Sequence, residues 1–268
     1  MNRFTDRRAL ITGAGSGIGQ ATVLRLLAEG ATVVAADVAR SGLDDTVSRA
    51  TAAGQADRLT TVLVDIADEE SVRAAVPAAV ERLGGLDVLV NAAGVLRSSH
   101  TAETPLALWN AVIGVNLTGT FLMTREALPA LLASGHGVVV NFSSTSANFA
   151  HPYMAAYAAS KGGVQSFTHA LALEYAKQGL RAVSLVPGSI SSGMTDASGA
   201  SGRNRGPGIP EDADMSLFAK LSPALNPEGS QYGFAGPESV AGVVAMLASD
   251  DGAFITGTEV RVDGGTHA

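Results

Sequence analysis

Seven short apolar runs punctuate the chain, at residues 9–11, 31–36, 59–64, 86–90, 137–142, 180–186 and 257–262. Each is rich in Val, Ile, Leu or Ala and lacks strict apolar/polar alternation, the pattern of strands covered on both faces. Between them lie longer segments with helical spacing, near 17–29, 41–53, 68–83, 105–133, 153–178 and 237–249. Strand–helix–strand recurrence predicts a parallel sheet, because parallel strands can be joined only through a crossover. Right-handed crossovers then place helices on both faces. The expected fold is α/β: a Rossmann-type doubly wound fold with a single, mostly seven-stranded parallel sheet.

One stretch breaks this rhythm. Residues 191–236 contain Ser198-Gly199-Ala200-Ser201-Gly202 and Gly206-Pro207-Gly208, followed by a possible amphipathic helix over 210–221. A long loop inside a compact α/β domain is usually a functional lid or a disordered stretch. It follows the carboxyl end of the sixth run, the edge where open α/β sheets bind ligands. Residues 193–235 are therefore a candidate substrate lid, with Met194, Leu217, Phe218 and Tyr232 as candidate apolar wall residues.

Composition narrows the function classes. At 268 residues, 46% hydrophobic and 16% charged, the chain has ample length to bury a core. No Pro-, Ser- or charge-rich linker divides it, so one domain over 1–268 is expected to carry all its sites. A net charge of −7, with 15 arginines and 3 lysines scattered along the chain, argues against a nucleic-acid partner. With no cysteine there is no disulfide, thiolate nucleophile or thiolate metal site, which suits a reducing cytoplasm. Residues 1–8 are polar and lead directly into an apolar run, so no signal-peptide core is expected there. The longest uninterrupted apolar runs fall well short of the roughly 20 residues of a membrane span. The five histidines are far apart and no HExxH-like cluster occurs, so no metal is expected.

The first run leads into Thr12-Gly13-Ala14-Gly15-Ser16-Gly17-Ile18-Gly19 and then a helical segment. Glycines let such a turn approach a diphosphate closely, and a helix N-terminus offers free N–H groups and partial positive charge. The spacing departs from G-x-G-x-x-G, since Ile18 stands at the last glycine, and fits T-G-x-x-x-G-x-G. About twenty residues on, the second run ends at Ala35-Ala36-Asp37-Val38. A carboxylate there can accept hydrogen bonds from the adenosine ribose hydroxyls and repels a 2′-phosphate. No basic residue occupies position 16 or 38, so NAD(H) is expected rather than NADP(H).

Tyr157-Ala158-Ala159-Ser160-Lys161 falls in a helical segment, which puts the phenol and the amine on one face. A phenol titrating near pH 10 is a poor base at neutral pH, and a nearby ammonium favours its phenolate. Tyr153 precedes this pair but has no lysine four residues on; a substrate wall or core position is expected for it.

Taken with the Gly-rich turn, these residues resemble the short-chain dehydrogenase/reductase family, in the branch with subunits of roughly 250 residues. The resemblance runs from Arg7 to Gly265. It includes Asn91-Ala92-Ala93-Gly94 after the fourth run, Asn116 within Val115-Asn116-Leu117, Ser143-Ser144 after the fifth, and Pro187-Gly188 after the sixth. It implies Tyr157 as general acid/base and Lys161 as the group that holds the nicotinamide ribose and lowers the Tyr157 pKa. Ser144 would bond the substrate oxygen, with Ser143 the alternative. Asn116 would bend its helix around a water that links Lys161 to solvent. Toward the cofactor the resemblance implies Gly13, Ser16, Gly17, Ile18, Gly19, Asp37 and Val38; Asp65 and Ile66 near the adenine; Asn91, Ala92, Ala93 and Gly94 beneath the adenosine ribose, where they also stabilise the central sheet. Pro187, Gly188, Ile190 and Ser192 would face the nicotinamide. Asp263-Gly264-Gly265 matches the family's C-terminal end and is expected to be structural. Family members are commonly tetramers, so a homo-oligomer is implied.

Other residues stay in the background. His151 is expected to be a solvated loop imidazole, and Trp109 and Phe121 to serve core or subunit packing. Asp44-Asp45 and Asp68-Glu69-Glu70 read as helix N-terminal acids. The expected activity is hydride transfer between nicotinamide and a secondary alcohol or ketone, on a small-molecule substrate. Two alternatives stand beside it: a 3-oxoacyl-carrier-protein reductase, which would call for NADPH and a basic docking patch, and a dinucleotide-binding regulator without turnover. Intact Ser144, Tyr157 and Lys161 weigh against the last.

Overall fold

A computed structural model describes residues 2–192, 194, 207–218, 221–225 and 234–267. Seven parallel strands form one sheet in the order β3-β2-β1-β4-β5-β6-β7. They are β1 (Arg8–Thr12), β2 (Thr32–Asp37), β3 (Leu59–Leu63), β4 (Val88–Asn91), β5 (Val138–Phe142), β6 (Arg181–Pro187) and β7 (Glu259–Val262). The expected fold is the observed one.

Alternate strand residues enter two separate cores, which explains the missing polar alternation. In β1, Ala9 and Ile11 point to one face and Leu10 to the other; in β5, Val138 and Val140 oppose Val139. The first core is closed by Val23, Leu26 and Leu27 of α1 (Gly17–Ala28), Leu43 of α2 (Arg40–Ala52) and Val240 and Val244 of α7 (Pro237–Ala248). The second is closed by Val72 and Val76 of α3 (Glu69–Leu83), Leu122 and Leu131 of α5 (Thr120–Ala133) and Leu171 of α6 (Ala155–Tyr175). The chain reverses direction across the sheet between β1 and β4, which are neighbours. That opens a crevice at the carboxyl ends of both strands.

Where the structure departs from the sequence pattern, local causes are visible. The expected helix at 105–133 is three pieces: α4 (Leu106–Ile113), a π-helical turn (Gly114–Gly119) and α5. A side chain at Gly119 would lie 2.8 Å from Ile66, so the wide turn seats its backbone against the loop after β3. By length and composition the whole run Leu106–Ala133 could cross a membrane, contrary to the reading of the apolar runs, but its pieces pack on α3 and α6 as core helices do. The expected helix from 153 starts only at Ala155, because Tyr153 is left-handed at φ 64°. In place of a helix over 210–221, the described residues hold one 3-10 turn, Met215–Phe218, fixed by the Asp214 carboxylate accepting from the Ser216 amide at 2.9 Å. Asp68 caps α3 as expected of a helix N-terminal acid. Asp44 and Asp45 lie a turn inside α2, where Asp45 accepts from Gln20 and Arg49. Trp109 and Phe121 are more than a third exposed, outside both cores.

Candidate functional site

The crevice is a solvent-open cleft lined by the turn after β1 and the loops after β2, β3 and β4. Its floor is the turn between β1 and α1. Gly13, at φ 66°, passes so close to the 92–93 backbone that a side chain there would lie 2.8 Å from Ala93. A side chain at Gly19 would come within 2.1 Å of the Gly13 carbonyl. Ser16 begins α1 without a side-chain cap, which leaves the first amides directed into the cleft. Gly13, Ser16, Gly17, Ile18 and Gly19 all line it.

Asp37, at the end of β2, lines the adjoining wall with Val38. Its carboxylate accepts from the Gly15 amide at 2.9 Å and the Ala39 amide at 2.8 Å, which fixes its orientation. Asp65 and Ile66 after β3, and Ala92, Ala93 and Gly94 after β4, complete the same lining, with Ser192 beside Gly17. An uncapped helix end, a bare glycine turn and an oriented carboxylate are the donor and acceptor set of a dinucleotide's diphosphate and adenosine ribose. The residues present fit that group.

Asn91 is the exception in this stretch. Its side-chain amide is buried in the sheet, donating to Asn141 at 2.8 Å and Thr124 at 3.0 Å, so it ties β4 to β5 rather than facing the cleft. Pro187, Gly188 and Ile190 also lie outside the cleft lining: the Gly188 amide bonds Val262, and Ile190 bridges to Ala235. Met194 lines the cleft, whereas Leu217 is exposed; Tyr232 and the 198–202 stretch lie outside the described residues.

Gly94, on the cleft lining, also stands beside a second cluster. A side chain at Gly94 would sit 3.3 Å from Asn116 Oδ1 and 3.6 Å from Lys161 Nζ. Asn116 is fully buried in the π-helical turn. It accepts from the Val95 amide at 2.8 Å and donates to the Val95 carbonyl at 2.9 Å and to Ser160 Oγ at 3.0 Å. Ser160 in turn donates to the Tyr157 carbonyl at 2.7 Å. The side chain thus clamps the loop after β4 to α6, with its polar atoms engaged by protein groups.

Lys161 Nζ donates to the Phe142 carbonyl at the end of β5, 2.7 Å away. Burial pushes its pKa down to about 8. Tyr157 moves the other way: burial raises its pKa, and a hydrogen bond with Ser144 opposes that rise. Burial thus sets the net direction for the phenol, opposite to the lowering expected from Lys161. The two candidate serines separate cleanly. Ser143 Oγ donates to the Lys161 carbonyl at 2.9 Å, while Ser144 Oγ meets Tyr157 and accepts from the Ser146 amide at 3.2 Å.

His151 is not a solvated loop imidazole. It is half-buried beside Thr145 and the C-terminal His267, and burial, aided by His267, lowers its pKa to about 4. Among the described residues, no group of three or more His, Asp or Glu side chains could hold a metal.

Several cleft residues escaped the sequence reading. Gly42, Val95 and Val115 line it, and Ser160 joins the buried network. Gly42 had a legible signal: a glycine inside a helix, where it lowers stability, implies close packing. A side chain there would meet the Gly15 carbonyl at 2.7 Å.

Comparison with known proteins agrees with this architecture. Residues 7–202 match the family model described as short chain dehydrogenase. The chain is 35% identical over 263 residues to 3-oxoacyl-[acyl-carrier-protein] reductase FabG of Thermotoga maritima, covering 98% of each. It is 38% identical to cis-4-hydroxycyclohexanecarboxylate dehydrogenase of Sinomonas cyclohexanicum, covering 99% of this chain and 98% of the relative. The crystal structure of a putative short-chain dehydrogenase/reductase from Burkholderia xenovorans superimposes with a TM-score of 0.85 at 33% identity, covering 99% and 98% of the two chains.

Proposed function

The chain belongs to the short-chain dehydrogenase/reductase family, and from that premise we propose that it is an NAD(H)-dependent enzyme interconverting a secondary alcohol and its ketone. The observation that carries this reading is the Ser144–Tyr157–Lys161 cluster, with Lys161 beside Gly94 on the lining of a cleft whose wall presents Asp37.

When bound, the nicotinamide supplies or accepts the hydride. The α1 amides hold the diphosphate, and Asp37 accepts from the adenosine ribose hydroxyls and repels a 2′-phosphate. Lys161 holds the second ribose. The Ser144 and Tyr157 hydroxyls bind the substrate oxygen and stabilise the charge that develops on it. In reduction Tyr157 Oη gives its proton to that oxygen; in oxidation the phenolate takes the alcohol proton. Asn116 keeps α6 and the loop after β4 in register. One domain carries both sites. Exposed Leu106, Trp109, Phe121 and Leu173 support association of the chain with copies of itself.

The FabG relative favours a second reading, in which the substrate is an acyl-chain ketone. One experiment separates the two. Cyclohexanol, 2,3-butanediol, their ketones and an acetoacetyl thioester are assayed by reduced-nicotinamide absorbance with both cofactors. Turnover of a free alcohol or ketone with NAD(H) supports the first reading. Turnover confined to the thioester with NADPH overturns it in favour of the second.

A further inference from the structure

Three stretches distant in sequence meet on the ring of Tyr153, four residues before Tyr157. The amide of Asp214 donates to the Tyr153 hydroxyl at 2.8 Å. The Phe218 ring stacks on it at 6.0 Å between centroids, and His100 meets it edge-on at 5.0 Å. His100 Nε2 lies 2.9 Å from the Asp212 carboxylate, and the Ser98 amide donates to the Pro207 carbonyl at 2.7 Å. The Tyr153 carbonyl accepts from the Ser99 amide at 2.8 Å. All this is organised on a left-handed backbone, φ 64°, which a bulky residue seldom adopts unless its surroundings hold it there.

The segment so held, 207–218, belongs to the same excursion as Met194, which lines the cleft, and as Leu225, whose amide bonds Gly264 at the end of the sheet. Its described part therefore reaches from the cofactor side of the crevice to the loop that leads into α6.

We propose that Tyr153 is a positioning residue that docks segment 207–218 against the loop at 98–100, closing the substrate side of the cleft, with the His100–Asp212 pair as a proton-dependent part of the latch. This rests on the reading of Ser144 and Tyr157 as the reacting centre. The charged groups around His100 are Asp212 in the segment and Glu103 in its own loop, both of which favour the imidazolium. Glu211 and Asp214 flank Asp212 and are exposed, and the Tyr153 ring is the neighbour from the third stretch. The hydrogen bond with Asp212 raises the His100 pKa, so the pair holds at lower pH and weakens as pH rises through that raised value.

Hydrogen exchange at the Asp214 amide reports docking without reference to turnover. Tyr153→Phe keeps the ring but removes the acceptor, and should lower the protection factor of that amide about three- to tenfold. The Ser99 amide, bonded to the Tyr153 carbonyl, is the internal control and should not change. His100→Gln and Asp212→Asn should each lower Asp214 protection about two- to fivefold below the His100 pKa and abolish its pH dependence. With cyclohexanol as probe, each variant should raise KM by a similar factor and leave kcat within about twofold. Unchanged Asp214 protection in Tyr153→Phe overturns the docking role, and loss of protection with unchanged KM overturns the closure role. If wild-type protein turns over no alcohol or ketone, the reading of the reacting centre fails, while the exchange data still decide the docking.

Discussion

Lys161 Nζ lies 5.6 Å from the centre of the Tyr157 ring, one turn along α6, and is anchored on the carbonyl that ends β5. A proton donor and a cation are thus fixed together in a desolvated place, and burial moves their pKa values in opposite directions, the phenol up and the amine down to about 8. Alcohol oxidation needs the phenolate and ketone reduction the phenol. Oxidation should therefore rise steadily with pH from roughly 7 to 9, while reduction stays level or falls. Initial rates in both directions across that range check this; a pH-independent oxidation rate, with hydride transfer limiting, contradicts it.

Asp37 sets cofactor choice. Its carboxylate is held by the Gly15 and Ala39 amides. Asp37→Ala removes the ribose acceptor and the charge that repels a 2′-phosphate, and should shift the ratio of kcat/KM for NADP to that for NAD upward by roughly tenfold or more. The same panel of alcohols run with both cofactors measures it, and an unchanged ratio refutes the ribose contact.

The two adjacent serines should behave differently. Ser144→Ala removes a hydroxyl aimed at the developing oxyanion and should lower kcat about a hundredfold, while its lost bonds to Tyr157 and the Ser146 amide cost about 1 kcal/mol of stability. Ser143→Ala deletes a buried bond to the Lys161 carbonyl and should cost about 1 kcal/mol in unfolding free energy with kcat nearly retained. Paired denaturation and turnover measurements distinguish these outcomes.

Much of this was legible along the chain because the physics is local. The β4 and β5 runs announce themselves by apolarity on both faces, and the turn from Gly13 to Gly19 by glycines that the packing requires. Tyr157 and Lys161 are paired by helix periodicity alone. What escaped depends on contacts between distant segments. The π-helical turn at 114–119 looks like ordinary helix until Gly119 is set against Ile66. The left-handed Tyr153 and the His100–Asp212 pair, 112 residues apart, have no local signal at all.

The most direct test is Tyr157→Phe, which removes one oxygen and leaves the ring packed against Lys161. NADH formation from an alcohol that the wild-type protein oxidises, together with NADH binding followed by fluorescence, should show turnover abolished and affinity changed by no more than a few-fold. A variant that keeps more than about a tenth of the wild-type rate would mean that another group moves the proton.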